Sequence, residues 1–304
     1  AAAAAQRRQI ALGKLHQAID AAASMGDVAR AGKLLDEFEK SGGQPTSVSY
    51  NLVIRACARR SDVPAAEAWL KRMEDSGVPA TVCSYNTLLD ACAKADNVAS
   101  CEAWLLHMID RKVEVNVISY ATAIYARARR GDVAAADKWL RRMIKDGVTP
   151  DGVSYNSLIH ACGVKGNIEG AEKYMQDMCT LGLETSVATY TALVDACAKN
   201  GDVPRAEHWF RKMVKDGIEP NVVTLSALID ACAKAGNLPR AEYWHADIFA
   251  RGIAPNAHSY SAVINACSKS GGPSGAEAAE RWLDKAEENG IVNDVVVYSS
   301  VIDA

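Results

Sequence analysis

Apolar residues along this chain recur at three- and four-residue spacing in short bursts, and the bursts themselves return every 35 residues. In 187–221, Tyr190, Leu193, Val194 and Cys197 form one such stripe, and Ala206, Trp209, Phe210 and Met213 form a second. Stripes with that spacing predict two amphipathic helices, broken between them at Gly201-Asp202. Stretches beginning at 47, 82, 117, 152 and 222 repeat the same arrangement. A self-similar period of this size marks a solenoid, in which each unit buries its apolar face only by stacking on its neighbours.

The polar residues punctuate the same period. Thr189 and its counterparts Ser49, Ser84, Ser119, Ser154, Thr224 and Ser259 sit where the first helix is expected to begin. Pro45, Pro150, Pro220 and Pro255 hold the preceding chain out of the helix. The second helix is expected to open on Asp202, matched by Asp27, Asp62, Asn97, Asp132, Asn167 and Asn237, all good N-caps. Gly217 and its equivalents Gly42, Gly77, Gly147, Gly182, Gly252 and Gly290 stand in helix-stop position.

This register divides the chain into an N-terminal extension, 1–11, and eight units: 12–46, 47–81, 82–116, 117–151, 152–186, 187–221, 222–256 and 257–294. The eighth is three residues longer than the rest, the insertion falling around Gly272 to Gly275, and a ninth begins at 295–304. The chain opens on five alanines without an initiator Met, so it reads as processed or trimmed, with no targeting peptide visible.

Composition adds limits. A hydrophobic content of 49% is ample for a stacked core, and no apolar run approaches the ~20 residues of a membrane span. The net charge of −3 argues against a surface basic all over, but not against one charged groove. Six of the nine cysteines (Cys57, Cys92, Cys162, Cys197, Cys232, Cys267) share one repeat position, and no CxxC pair occurs. They read as small buried thiols at helix contacts, with no metal site. All six tryptophans (Trp69, Trp104, Trp139, Trp209, Trp244, Trp282) fall at position 23, where Tyr174 replaces them in the fifth unit. A Trp ladder suits base stacking, yet its Met and Leu neighbours favour packing between repeats.

The 35-residue unit, with S/T-Y-N/T near its start, A-x-G-D at its middle and M-x-x-x-G-x-x-P-N/D at its end, resembles the pentatricopeptide repeat family, in its plain 35-residue form. The resemblance covers 12–304. The tetratricopeptide repeat is the near neighbour, but its W-x-x-L-G-x-x-Y opening is absent. The resemblance implies an all-α, right-handed α-α superhelical solenoid of helix–turn–helix repeats whose first helices line a groove. It also implies binding of single-stranded RNA in a mitochondrion or plastid, one base per repeat, with side chains at positions 5 and 35 reading each base edge.

Carried over residue by residue, the resemblance implies a partial word. His16 with Thr46 matches no known combination. Asn51 with Thr81 and Asn86 with Asn116 lean towards pyrimidine. Ala121 with Asp151 lacks a polar group at position 5. Asn156 with Ser186 resembles a cytosine reader, Thr191 with Asn221 and Ser226 with Asn256 resemble adenine readers, and Ser261 with Asp294 resembles a guanine reader. The implied target is Y-Y-N-C-A-A-G. Position 2, which sandwiches the base in this family, is held by Val48, Cys83, Ile118, Val153, Ala188, Val223 and His258. The plainer reading of Asn, Ser and Thr at these places is ordinary helix capping.

One further row is arithmetic. Arg59, Lys94, Arg129, Lys199, Lys234 and Lys269 put one cation per repeat at the end of the first helix, interrupted only by Val164. Such a row suits the phosphates of a single strand, and equally the negative end of a helix dipole. Histidines fall at unrelated positions, and no HExxH, G-x-S-x-G or phosphate-cradling Gly loop occurs. Asp90, Asp195 and Asp230 recur at position 9 and read as a solvated face. No catalytic residue, metal ligand or cofactor is assigned, and the chain is not expected to be an enzyme. The expected function is sequence-selective RNA binding in organellar RNA processing, stability or translation. The alternative is a structural scaffold bound to protein subunits of a large organellar complex, since solenoid surfaces bind protein as readily as nucleic acid.

Overall fold

A computed structural model describes residues 2–270, 273–291 and 295–302. Every regular element among them is a helix: α1 (Ala2–Ser24), α2 (Val28–Lys40), α3 (Ser47–Arg59), α4 (Val63–Asp75), α5 (Val82–Lys94), α6 (Val98–Asp110), α7 (Val117–Arg129), α8 (Val133–Lys145), α9 (Gly152–Lys165), α10 (Ile168–Thr180), α11 (Val187–Lys199), α12 (Val203–Lys215), α13 (Val222–Lys234), α14 (Leu238–Ala250), α15 (Ala257–Ser270), α16 (Pro273–Glu288) and α17 (Val295–Ile302). The chain falls into two compact units, 1–154 and 155–304, each an α-α solenoid of stacked helix–turn–helix repeats.

The helix starts correct one expectation. The first helices begin two residues before the Ser/Thr of position 3, so position 35 is the N-cap: Thr46, Thr81, Asn116, Ser186 and Asn221 precede α3, α5, α7, α11 and α13. Position 3 is instead the third helical residue. Its hydroxyl reaches back to the N-cap N–H, as in Thr46 N to Ser49 Oγ at 3.1 Å and Ser186 N to Thr189 Oγ1 at 3.0 Å. That pairing is the reciprocal capping box, which satisfies donors a helix start leaves open. The second helices open as expected, on side-chain caps such as Asp62 to Ala65 N at 3.1 Å and Asp202 to Arg205 N at 3.1 Å.

In the first unit α1, α3, α5 and α7 pack in sequence along one another, as do α11, α13, α15 and α17 in the second. Second helices pack on first helices, and long side chains bridge from one second helix to the next. The row of first helices is therefore the continuous, close-packed one in each unit. Its core is the position 4, 7, 8 and 11 stripe, with Tyr50, Val53, Ile54 and Cys57 all at 0% exposure. Buried thiols confirm the cysteine reading: burial pushes Cys92, Cys197 and Cys232 up to about 12.

The tryptophans also pack between repeats, and five of the six carry a polar tie; Trp69 instead packs against Gly32. Trp104 Nε1 donates to Glu67 Oε1 at 2.7 Å, Trp139 to Glu102 at 2.6 Å, and Trp209, Trp244 and Trp282 to Glu172, Glu207 and Glu242 at 3.1 Å. Position 21 of one repeat thus satisfies the indole at position 23 of the next. No described helix is long and apolar enough to cross a membrane.

Candidate nucleic-acid interface

Positions 2, 5, 9 and 13 are three or four residues apart, so they form one stripe along each first helix, turned away from the 4, 7, 8, 11 core. Position 2 is apolar and open: Val48, Ile118, Val153 and Val223 are 50–59% exposed, and Cys83 and Ala188 are exposed too. His258 takes this place in the second unit, with Nε2 3.1 Å from Asp230 Oδ2. That hydrogen bond holds its imidazole above the usual range, against a smaller opposing effect of burial.

Position 5 lies deeper, between adjacent first helices. Its side chains meet the position 3 hydroxyl of the next repeat, 33 residues on. Ser119 Oγ donates to Asn86 Oδ1 at 2.7 Å, and Thr189 Oγ1 donates to Asn156 Oδ1 at 2.6 Å. Thr191 Oγ1 lies 2.6 Å from Thr224 Oγ1, and His16 Nε2 2.8 Å from Ser49 Oγ. His16, which no family combination covers, occupies the same link as the others. Two position 5 atoms are buried without a partner, Asn51 Oδ1 and Ser226 Oγ. Ser261 Oγ turns to the His258 carbonyl at 3.0 Å, and Ala121 offers nothing polar.

Position 35 joins this cluster as an N-cap. Asn221 Oδ1 accepts from Thr224 N at 3.0 Å and from Thr224 Oγ1 at 3.1 Å. Asn116 Oδ1 accepts from Ser119 N at 3.2 Å and from Asn86 Nδ2 at 3.2 Å, so that the two Asn side chains of one unit touch directly. Ser186 and Asn256 cap in the same way. Capping accounts for the oxygen of each asparagine and leaves its amide N–H2 for another partner. Asp294 lies outside the described residues.

The cation row divides. Arg59 Nη1 donates to the Ser24 carbonyl at 2.7 Å and Arg129 Nη1 to the Ala93 carbonyl at 3.1 Å, each at the end of the preceding first helix. Lys94 Nζ pairs with Asp90 Oδ2 at 2.5 Å. Lys199, Lys234 and Lys269 are exposed, and no hydrogen bond or close ion pair holds them among the described residues. Burial lowers the Lys234 ammonium, and the charges of Lys199 and Lys269 push the same way. Asp230 and Asp195 oppose that shift.

The position 9 acids are not simply a solvated face. Asp195 and Asp230 are half-buried, and burial raises the Asp195 carboxyl, with Lys199 opposing and Asp230 reinforcing the rise. They sit between position 5 and the lysines of position 13, where they offset part of the positive charge. No group of three or more metal-ligating side chains occurs among the described residues.

Three family descriptions match this chain. The pentacotripeptide-repeat region of PRORP matches 37–206, the PPR repeat family matches 185–234, and the PPR repeat matches 223–253 and 258–291. A search of curated proteins gives no match. Among solved structures, the maize pentatricopeptide repeat protein PPR10 is 22% identical, with a TM-score of 0.58 over 96% of this chain and 46% of that one. PPR10 in complex with an 18-nt psaJ RNA element is 21% identical, with a TM-score of 0.54 over 98% of this chain and 53% of that one. The PPR domain of Arabidopsis thaliana protein-only RNase P 1, in complex with tRNA, is 21% identical, with a TM-score of 0.50 over 61% of this chain and 97% of that domain. This chain spans about half the length of the two PPR10 structures, and likeness at such identities concerns the fold. The family match over 37–206, with the repeat matches that follow it, shows that the chain belongs to the pentatricopeptide repeat family.

Proposed function

We propose that this chain binds single-stranded RNA along the stripe formed by positions 2, 5, 9 and 13, one base per repeat, with Y-Y-N-C-A-A-G as its word. The observation that carries the reading is the combination, on most first helices, of an exposed apolar residue at position 2 with a polar pair at 5 and 35; Ala121 at position 5 and His258 at position 2 are the exceptions. Val223, Ser226 and Asn256 are one such set. Apolar side chains that flank a base, and amide or hydroxyl groups that meet its edge, are what single-strand recognition requires. The likeness in fold to structures holding an RNA element and tRNA supports the same reading.

In this reading Asn51, Thr81, Asn86, Asn116, Asn156, Ser186, Thr191, Asn221, Ser226, Asn256, Ser261 and Asp294 read bases. Lys199, Lys234 and Lys269 follow the phosphates, while Arg59, Lys94 and Arg129 serve the protein first. The eight-unit register and action in a mitochondrion or plastid, which the family resemblance implies, belong to the same proposal. The chain acts by occupying RNA and catalyses nothing itself. Fluorescence anisotropy with the heptamer and its scrambled counterpart, across rising salt, is the test. Tighter binding of the heptamer at every salt supports the proposal, and equal binding of both RNAs contradicts it.

The second reading is a scaffold that binds protein subunits. It is favoured by the first unit, where Arg59, Lys94 and Arg129 are spent within the chain. Co-purification of a protein complex that survives RNase and high salt supports the scaffold instead.

A further inference from the structure

We propose that the buried hydroxyl at position 3 sets the hydrogen-bond polarity that the preceding repeat offers to its base, which makes these serines and threonines positioning residues for specificity. The inference rests on the base-reading proposal above and concerns Ser119, Thr189 and Thr224 in particular. All three are at 0% exposure, so none of them touches a ligand directly. A hydroxyl holds one hydrogen and can donate it only once.

With asparagine at position 5, that hydrogen goes to the amide oxygen. Thr189 Oγ1 donates to Asn156 Oδ1 at 2.6 Å, and Ser119 Oγ donates to Asn86 Oδ1 at 2.7 Å. The oxygen is pinned inward, so the N–H2 is what faces a base. Beside Asn86, Asn116 Oδ1 is also taken up, by Ser119 N and Asn86 Nδ2. That unit presents donors alone. Uracil, with two carbonyl oxygens, meets donors at both; cytosine brings an amino group of its own to one of them.

With threonine at position 5 the polarity reverses. Either hydroxyl can donate across the 2.6 Å contact between Thr191 Oγ1 and Thr224 Oγ1; we assign the Thr224 hydrogen to Asn221 Oδ1 at 3.1 Å, an oxygen that can only accept, so that Thr224 accepts from Thr191. The Thr191 hydroxyl is then locked as a donor inward and faces the base with lone pairs only. Asn221 keeps its N–H2. An acceptor beside a donor complements adenine, which offers an amino group beside a ring nitrogen acceptor; guanine presents a carbonyl oxygen where adenine has the amino group.

The next unit lacks the link. Ser259 Oγ donates to the Asn256 carbonyl at 2.8 Å, and Ser226 Oγ has no partner. Ser226 is free to present either polarity. Two units with the same nominal letter should therefore discriminate unequally, Thr191 with Asn221 more sharply than Ser226 with Asn256.

The experiment measures adenine-over-guanine preference at the fifth letter of the heptamer, for the full chain and for Thr224→Val and Thr224→Ser. Thr224→Val should lower that preference roughly five- to tenfold, the worth of one neutral hydrogen bond, with preferences at the fourth and seventh letters unchanged. Thr224→Ser, which keeps the hydroxyl, should restore it. Ser119→Ala should likewise erase the uracil-over-cytosine preference at the second letter. Full preference in Thr224→Val, or an equal loss of affinity for every base, overturns the inference while leaving base reading intact. A wild-type chain indifferent at the fifth letter overturns both.

Discussion

The Trp244 indole N–H donates to Glu207 Oε1 at 3.1 Å, and the same oxygen receives Arg240 Nε at 2.5 Å. Burial alone would raise the Glu207 carboxyl, but the hydrogen bonds from Arg240 and Trp244 and the nearby arginine charges outweigh it and hold the carboxyl low. Glu207→Ala leaves the buried Trp244 indole N–H without its acceptor, while the part-exposed Arg240 turns to solvent, which should cost roughly 1–3 kcal/mol. Urea unfolding checks this, and Trp244→Phe in the same background should recover part of the loss.

His245 gives a pH prediction. Its Nε2 is buried without a partner, and its ring centroid lies 4.6 Å from that of Tyr260 and 4.7 Å from that of Trp282. Burial, helped by the Lys285 charge, lowers its pKa to about 4. The unfolded chain takes up this proton near 6.5, the folded chain only near 4. Stability should therefore fall as pH drops through that window, by about 3 kcal/mol in all. Melting curves of wild type and His245→Phe check it: the substitution should remove this part of the pH dependence.

Lys112 holds φ at 55° where Gly77, Gly147 and Gly217 hold φ between 73° and 79°. A side chain in this left-handed region costs roughly 1–2 kcal/mol, partly offset by glycine's greater freedom when unfolded. Lys112→Gly should raise stability by about 0.5–1 kcal/mol in denaturant unfolding.

The cation row should separate in the same way under salt. Replacing Lys199, Lys234 and Lys269 together by Gln should flatten the log–log salt dependence of RNA affinity by about 2, at ~0.7 per phosphate released. Arg59→Gln and Arg129→Gln should instead lower the melting temperature, because each arginine caps a helix carbonyl.

The hydrophobic period placed the stacked core, the Trp row and the second-helix caps, because each follows from spacing within one helix. Two features escaped it. Position 35 caps the following helix, and the Ser/Thr of position 3 completes a capping box two residues inside, a difference that a boundary drawn from apolar residues alone misses. The link from Asn86 to Ser119 joins residues 33 apart, and the rotamers that make it are decided by stacking. The division of the cation row is similar: Arg59 and Lys199 occupy one repeat position, but only the longer, forked guanidinium reaches back to a helix end.

The central claim is that Thr191 and Asn221 read one base. The double substitution Thr191→Asn with Asn221→Asp tests it directly, with affinity measured for heptamers carrying each of the four bases at the fifth letter. The account predicts that preference moves from adenine to a pyrimidine, because Thr224 would pin the new amide oxygen inward and leave its N–H2 facing a pyrimidine carbonyl. An adenine preference unchanged by the double substitution would contradict it.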